Sequence, residues 1–149
     1  LIAGHDIRLL IPETFMNEIG RSVAAMSRYY RIDPGEILIA HDELDIPAGE
    51  ARFKYDGGHG GHNGLRDIIP ALGGHRDFWR LRIGIGHPGS GKNVSAWVLS
   101  KAPAEDQTSI EASTEAAMSA LPLLLKGESI KAMTALHSES YAAKPSQED

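Results

Sequence analysis

Apolar residues recur along this chain with two periods, and the switches between them mark its elements. Residues 7–11 are mostly apolar and read as a strand, preceded by a turn at Ala3-Gly4-His5-Asp6 and stopped by Pro12. Phe15, Ile19, Val23, Met26 and Tyr30 then fall three and four apart, which predicts an amphipathic helix over residues 15–31 with Thr14 as its N-cap. Asp33-Pro34-Gly35 ends it with a turn. Residues 37–40 form a short continuous apolar run, expected of a strand covered on both faces and stopping at the polar cluster His41-Asp42-Glu43-Leu44-Asp45. Pro47 and Gly49 make a turn, and residues 51–55 alternate as a strand should. A glycine-rich loop at 57–64 leads into a short helix at 65–72, which contains Pro70. A strand is expected at 78–86 and a loop at 87–93, while 94–99 fits either regular structure. Helices are expected at 105–125, with a kink before Pro122, and at 129–136. There is no internal repeat and no linker. Strands interleaved with helices predict an α/β domain over residues 1–137 with a parallel or mixed sheet, followed by a polar tail at 138–149.

The opening is unusual. The chain starts with Leu1 rather than Met, and the first strand pattern reads as the second half of a hairpin. A truncated N-terminus is therefore expected, with a strand and a helix missing.

Composition narrows the function classes. With 149 residues the chain suits one domain with a real core. It has no cysteine, which excludes disulfides, thiolate nucleophiles and Cys-ligated zinc. No apolar run approaches the roughly 18 residues of a membrane span, and nothing resembles a signal peptide, so a cytoplasmic protein is expected. The net charge of −5 is unevenly spread. Residues 1–101 hold 12 basic and 12 acidic side chains, whereas 102–149 hold 3 and 8. Arg52, Lys54, Arg66, Arg76, Arg80, Arg82 and Lys92 face only Asp56, Asp67 and Asp77 in their stretch. A local basic excess in an acidic protein suits a phosphate-bearing partner met at one place, though uneven surface charge alone also produces it.

Four constellations could carry chemistry. His41-Asp42-Glu43 ends a strand, where α/β sheets place ligands, and a carboxylate there can orient an imidazole and stabilise its protonated form. One or two of these acids could instead cap the next element. The 57–64 loop can bring backbone close to a ligand or move as a lid, and Asn63 can both donate and accept. His59 and His62 lack a third ligand for zinc. The stretch 84–93 contains a formal GxGxxG and a near Walker A motif. Asn93 stands where a hydroxyl should bind Mg²⁺, and Pro88 interrupts the N–H groups that should cradle phosphate, so a glycine-rich turn is preferred. Phe15-Met16-Asn17 reads alone as helix entry. GxSxG and HExxH are both absent, so an ester hydrolase built from these parts would activate water by a general base.

Taken in order, Thr14-Phe15-Met16-Asn17, then Ala40 to Asp45, then Gly57 to Leu65, then Arg80 to Pro88 resemble the bacterial peptidyl-tRNA hydrolase family over roughly residues 5–135. The resemblance implies a compact monomer with a mixed twisted sheet flanked by helices in three α/β/α layers. It implies hydrolysis of the ester joining peptide to tRNA, without cofactor or metal. Asp42 matches the acid that serves the catalytic histidine, and Asn17 an asparagine of the reaction centre. Asn63 matches an asparagine contacting the 3′ end of the tRNA or the peptide main chain, and His62 beside it is expected at the same contact. Phe15 matches an aromatic contact to the tRNA end. Lys54 and Arg82 match basic positions that meet tRNA phosphates. The glycine loop matches a mobile gate over the peptide groove.

The family opens with a GNPG-type turn, a tyrosine and a TRHN-type segment carrying the base histidine, and none of these occurs here. His5, His41, His59, His62, His75, His87 and His137 lie outside that context. This polypeptide alone is therefore expected to be inactive and unstable. The competing readings are a non-catalytic tRNA-binding remnant of the fold and a P-loop nucleotide binder. An upstream histidine in a TRHN context would discriminate against the first, and ATP binding dependent on Lys92 and Mg²⁺ would support the second.

Overall fold

The computed structural model describes residues 4–12, 18–87 and 104–141. Among them a mixed three-stranded sheet is accompanied by four α-helices. The chain clusters into two compact units, Leu1–Ile39 with Lys54–Arg80, and Ala40–Phe53 with Leu81–Asp149. The unit bounds fall within the three strands, so each unit holds part of every strand.

In the first unit, helix α1 (Ile19–Tyr29) buries Gly20, Val23 and Ala24. No side chain at Glu18 caps it. Asp67 supplies the missing acceptor, taking the Gly20 N–H at 2.6 Å. The approach is so close that a Cβ on Gly20 would stand 2.4 Å from the Asp67 carbonyl oxygen, which is why glycine sits there. The helix ends in a Schellman motif. Arg31 takes φ 55°, and the Ile32 N–H reaches back to the Ser27 carbonyl at 2.8 Å. Residues 13–17, where the N-cap and first turn were expected, lie outside the described residues. A single 3₁₀ turn follows at Pro34–Glu36, where the Glu36 carboxylate accepts the Asp33 N–H at 3.1 Å.

Strand order is β1 (Leu38–Glu43), β3 (Trp79–Gly84), β2 (Ala51–Tyr55), with β3 central. Trp79 N–H bonds the Ile37 carbonyl and Ile85 N–H bonds the Glu43 carbonyl, so β1 and β3 advance together and are parallel. Asp56 N–H bonds the Phe78 carbonyl and Gly84 N–H bonds that of Glu50, so β2 runs antiparallel to β3.

Three expectations need correction. β1 does not stop at Ala40, because pairing with β3 carries it through His41-Asp42-Glu43. It is not covered on both faces either: Leu38 and Ile39 are half-buried and Ala40 is exposed. Residues 7–11 form no ladder, since no strand lies beside them among the described residues, and Leu9 and Ile11 stand 80% and 77% exposed.

The core of the first unit gathers Val23, Leu65, Ile68 and Phe78, with Ile19, Ile37 and Ile39 packed against them. Each such buried side chain contributes about 1.5–3 kcal/mol. Leu65 and Ile68 come from α2 (Asn63–Ala71), which tolerates Pro70 near its end. In the second unit, α3 (Ala104–Leu125) packs on α4 (Ser129–His137). The buried positions of α3 are all small, namely Ser109, Ser113, Ala117 and Ala120. Three further contacts tie this unit. A Cβ on Gly84 would meet the Pro47 carbonyl oxygen at 2.2 Å, so the 46–47 turn rests directly on the end of β3. His137 Nε2 accepts the Phe53 N–H at 3.1 Å and Tyr141 N–H bonds the Gly49 carbonyl at 2.7 Å, so the chain around α4 covers the outer edge of β2.

Candidate active site

Side chains alternate along β1, so Asp42 points away from the face shared by His41 and Glu43. His41 is buried, with Nδ1 2.8 Å from the carbonyl oxygen of Asp42. That contact fixes the proton on Nδ1 and makes His41 part of the strand's packing rather than an accessible base. Glu43 faces Arg82 of β3, whose Nε lies 3.0 Å from Oε1 and whose Nη2 approaches the same oxygen. Glu43 is therefore committed to an ion pair. Asp42 is the other half-buried carboxylate of the cluster, and it sits at the carboxyl end of a parallel strand, where open sheets place their chemistry. Asp45 is exposed in the turn that follows.

The glycine loop is built by its own backbone. Asp56 takes φ 64°, and Gly57, Gly60 and Gly61 take 111°, 57° and 84°, conformations that glycine reaches without Cβ strain. His59 Nδ1 accepts the Gly61 N–H at 2.9 Å. His62 Nδ1 accepts the Leu65 N–H at 3.2 Å and so caps α2. In both rings an accepting Nδ1 places the proton on Nε2 in the neutral form. Asn63 is thus the exposed first residue of α2 rather than a loop residue. Lys54 is exposed on β2. No group of three or more His, Asp or Glu that could hold a metal occurs among the described residues.

Sequence reasoning assigned no role to Arg80. Its side chain is 1% exposed, and its guanidinium donates to the carbonyls of Asp56, Gly57 (2.6 Å) and Arg76 (3.3 Å). It also stacks 4.5 Å from the centre of the Phe78 ring. Nothing in Arg-Leu-Arg distinguishes it from Arg82. Of the other expected site residues, Phe15 and Asn17 lie outside the described residues, while Asp42 and Asn63 belong to different units.

The sequence profile described as "Peptidyl-tRNA hydrolase" matches residues 1–144. The chain belongs to the peptidyl-tRNA hydrolase family. A Shewanella putrefaciens peptidyl-tRNA hydrolase is 55% identical over 138 residues, covering 93% of this chain and 71% of the relative. One from Pseudomonas putida is 57% identical over 136 residues, covering 91% and 70%. The crystal structure of peptidyl-tRNA hydrolase from Acinetobacter baumannii superimposes with a TM-score of 0.90 at 50% identity, covering 95% of this chain and 71% of that one. The mixed α/β architecture is thus that of the peptidyl-tRNA hydrolases. Three of the four sequence blocks that carried the resemblance fall, wholly or largely, on described backbone: the end of β1, the glycine loop and β3 with the residues just after it.

Proposed function

We propose that this protein hydrolyses the ester bond between peptide and tRNA in peptidyl-tRNA and so returns free tRNA to translation. The observation that carries the reading is the family match over residues 1–144, within which Asp42 stands at the carboxyl end of β1. In the mechanism, water is the nucleophile and a histidine takes its proton as the oxygen attacks the ester carbonyl. Asp42 orients that imidazole and stabilises its protonated form, and Asn17 places the water or the ester. Asn63 and His62, at the start of α2, meet the 3′ end of the tRNA together with Phe15. Lys54 and Arg82 meet phosphates. Arg82 does so while its Nε and Nη2 engage Glu43, so Lys54 is the more accessible of the two charges.

The family's pattern places the base histidine in a TRHN context that none of the seven histidines here shares. The reading therefore extends to a base contributed by such a segment. Among the described residues no helix is long and apolar enough to cross a membrane. The protein acts as a cytoplasmic monomer without cofactor, with the hydrolase domain over residues 1–137 and a tail at 138–149.

The test compares cleavage of peptidyl-tRNA by this chain, and by the chain joined to the opening segment of the Acinetobacter baumannii relative, with and without Asp42→Ala. Asp42→Ala is expected to slow turnover of the active form by about 10²–10⁴, with tRNA affinity changed only modestly. Unchanged turnover in the Asp42→Ala protein would remove Asp42 from the mechanism.

A further inference from the structure

The start of α1 meets α2 through main chain. α1 has no acid in its first turn and no side-chain cap from Glu18, and the half-buried Asp67 carboxylate of α2 accepts the Gly20 N–H at 2.6 Å instead. A Cβ on Gly20 would stand 2.4 Å from the Asp67 carbonyl oxygen and 2.8 Å from its Oδ2, so no side chain separates the two helices at this point. Elsewhere α1 and α2 share the cluster of Val23, Leu65 and Ile68. Apolar burial holds two helices together, but it is not directional and constrains their register weakly. A short charge-assisted hydrogen bond onto bare backbone constrains it tightly. This bond joins residues 47 apart in sequence, so it ties two segments that the covalent chain leaves independent.

Both segments lead to residues assigned above to the 3′ end of the tRNA. Asn63 and Asp67 are spaced i, i+4 on α2 and so share one face of that helix. α1 therefore begins against the face that carries Asn63 one turn earlier. His62 caps that turn, its Nδ1 accepting the Leu65 N–H at 3.2 Å, which leaves Asn63 little freedom relative to Asp67. In the sequence, Phe15-Met16-Asn17 leads directly into Glu18 and α1. We propose that Asp67 is a positioning residue for the substrate: its bond to Gly20 sets the spacing between the two segments that grip the tRNA 3′ end, one entering α1 and the other opening α2. This rests on the reading of Phe15 and Asn63 given above and adds what keeps their segments in register. An Asp67 that served stability alone would leave any folded variant with a normal preference for the 3′ end.

The experiment is equilibrium binding of two RNA hairpins that copy the tRNA acceptor stem, one with its single-stranded 3′ end and one trimmed blunt, with urea unfolding to confirm that each variant is folded. The readout is the ratio of the two affinities, in which contacts to the duplex cancel. Asp67→Ala should lower the ratio severalfold and leave binding of the blunt hairpin near wild type. Asp67→Asn keeps an acceptor oxygen for Gly20 and should restore the ratio. Asn63→Ala should itself lower the ratio, and Asp67→Ala should cost less in that background. A wild-type ratio for Asp67→Ala, a loss that Asp67→Asn does not restore, or fully additive losses with Asn63→Ala would overturn the proposal. If Asp67→Ala does not fold, Asp67→Glu decides, since it keeps the charge but moves the acceptor by one methylene. A lowered ratio then supports the proposal, and a wild-type ratio refutes it. Equal affinity of the wild type for both hairpins, or an unchanged ratio for Asn63→Ala, would instead sink the 3′-end reading itself, and this inference with it.

Discussion

Arg80 and Arg82 lie two residues apart on β3, on the same face of one strand, yet they do opposite work. Arg80 is buried, and its two terminal nitrogens donate to peptide carbonyls. Arg82 is partly exposed and paired with the Glu43 carboxylate, so its charge is largely cancelled where it sits. An arginine on carbonyls shapes the backbone that it binds. One on a carboxylate fixes a strand end and leaves the field nearly neutral. The first fixes the root of the glycine loop, and the second ties the end of β1 to β3.

Replacing each arginine separates these duties. Arg80→Met should cost about 3–5 kcal/mol, because buried carbonyls lose charge-assisted donors and the loop root loses its clamp. Urea unfolding would measure this, and a loss below about 1 kcal/mol would mean that water replaces the guanidinium readily. The next effect concerns His137, which satisfies a strand amide as Arg80 satisfies carbonyls but, unlike arginine, can titrate. Burial first, and then the nearby Arg52 guanidinium, hold its pKa below the usual histidine value of 6.5. Its neutral Nε2 is the acceptor for Phe53. Above about pH 6.5 the ring is neutral both folded and unfolded, and the bond contributes fully. As pH falls below that value the unfolded chain takes up a proton that the folded one resists, so stability declines until the lowered folded pKa is reached. Melting temperatures between pH 7.5 and 5 should therefore fall more steeply for the wild type than for His137→Gln, which can still accept from Phe53. Parallel slopes would show that the ring does not titrate with unfolding. His137→Ala at pH 7.5 should cost about 1–2 kcal/mol for the orphaned amide. The smallest stability effect belongs to Arg82→Gln, about 1 kcal/mol or less for a partly exposed pair, while its tRNA affinity should fall measurably in low salt.

Much of the fold was legible where the pattern is local. Ala51 and Phe53 are buried and Arg52 and Lys54 exposed, so alternation alone bounded β2 correctly. The extents of α3 and α4 also followed from periodicity to within a residue at each end. What failed depended on distant partners. The polar residues at 41–43 extend β1 only because β3 pairs with them, and apolar residues at 7–11 form no ladder without a neighbour. His62 was read as a contact residue and is also a helix cap, which moved Asn63 from loop to helix. At the site, the acid at the strand end was visible as a polar cluster after an apolar run. Its sorting was not, since only the contact with Arg82 on a strand 39 residues away commits Glu43 to an ion pair. The clamp at Arg80 and the cover on β2 from His137, 84 residues along the chain from Phe53, leave no mark in sequence spacing.

The contact between Gly84 and the turn at 46–47 has a practical consequence for anyone rebuilding this protein. Two stretches of main chain touch there with no side chain between them, so neither can be padded or shifted alone. Loop grafts, tags and cross-links placed at that turn would lever directly on the strand that carries both arginines. The exposed glycine at 58, whose missing side chain would meet nothing within 4 Å, is the more forgiving place for an added side chain.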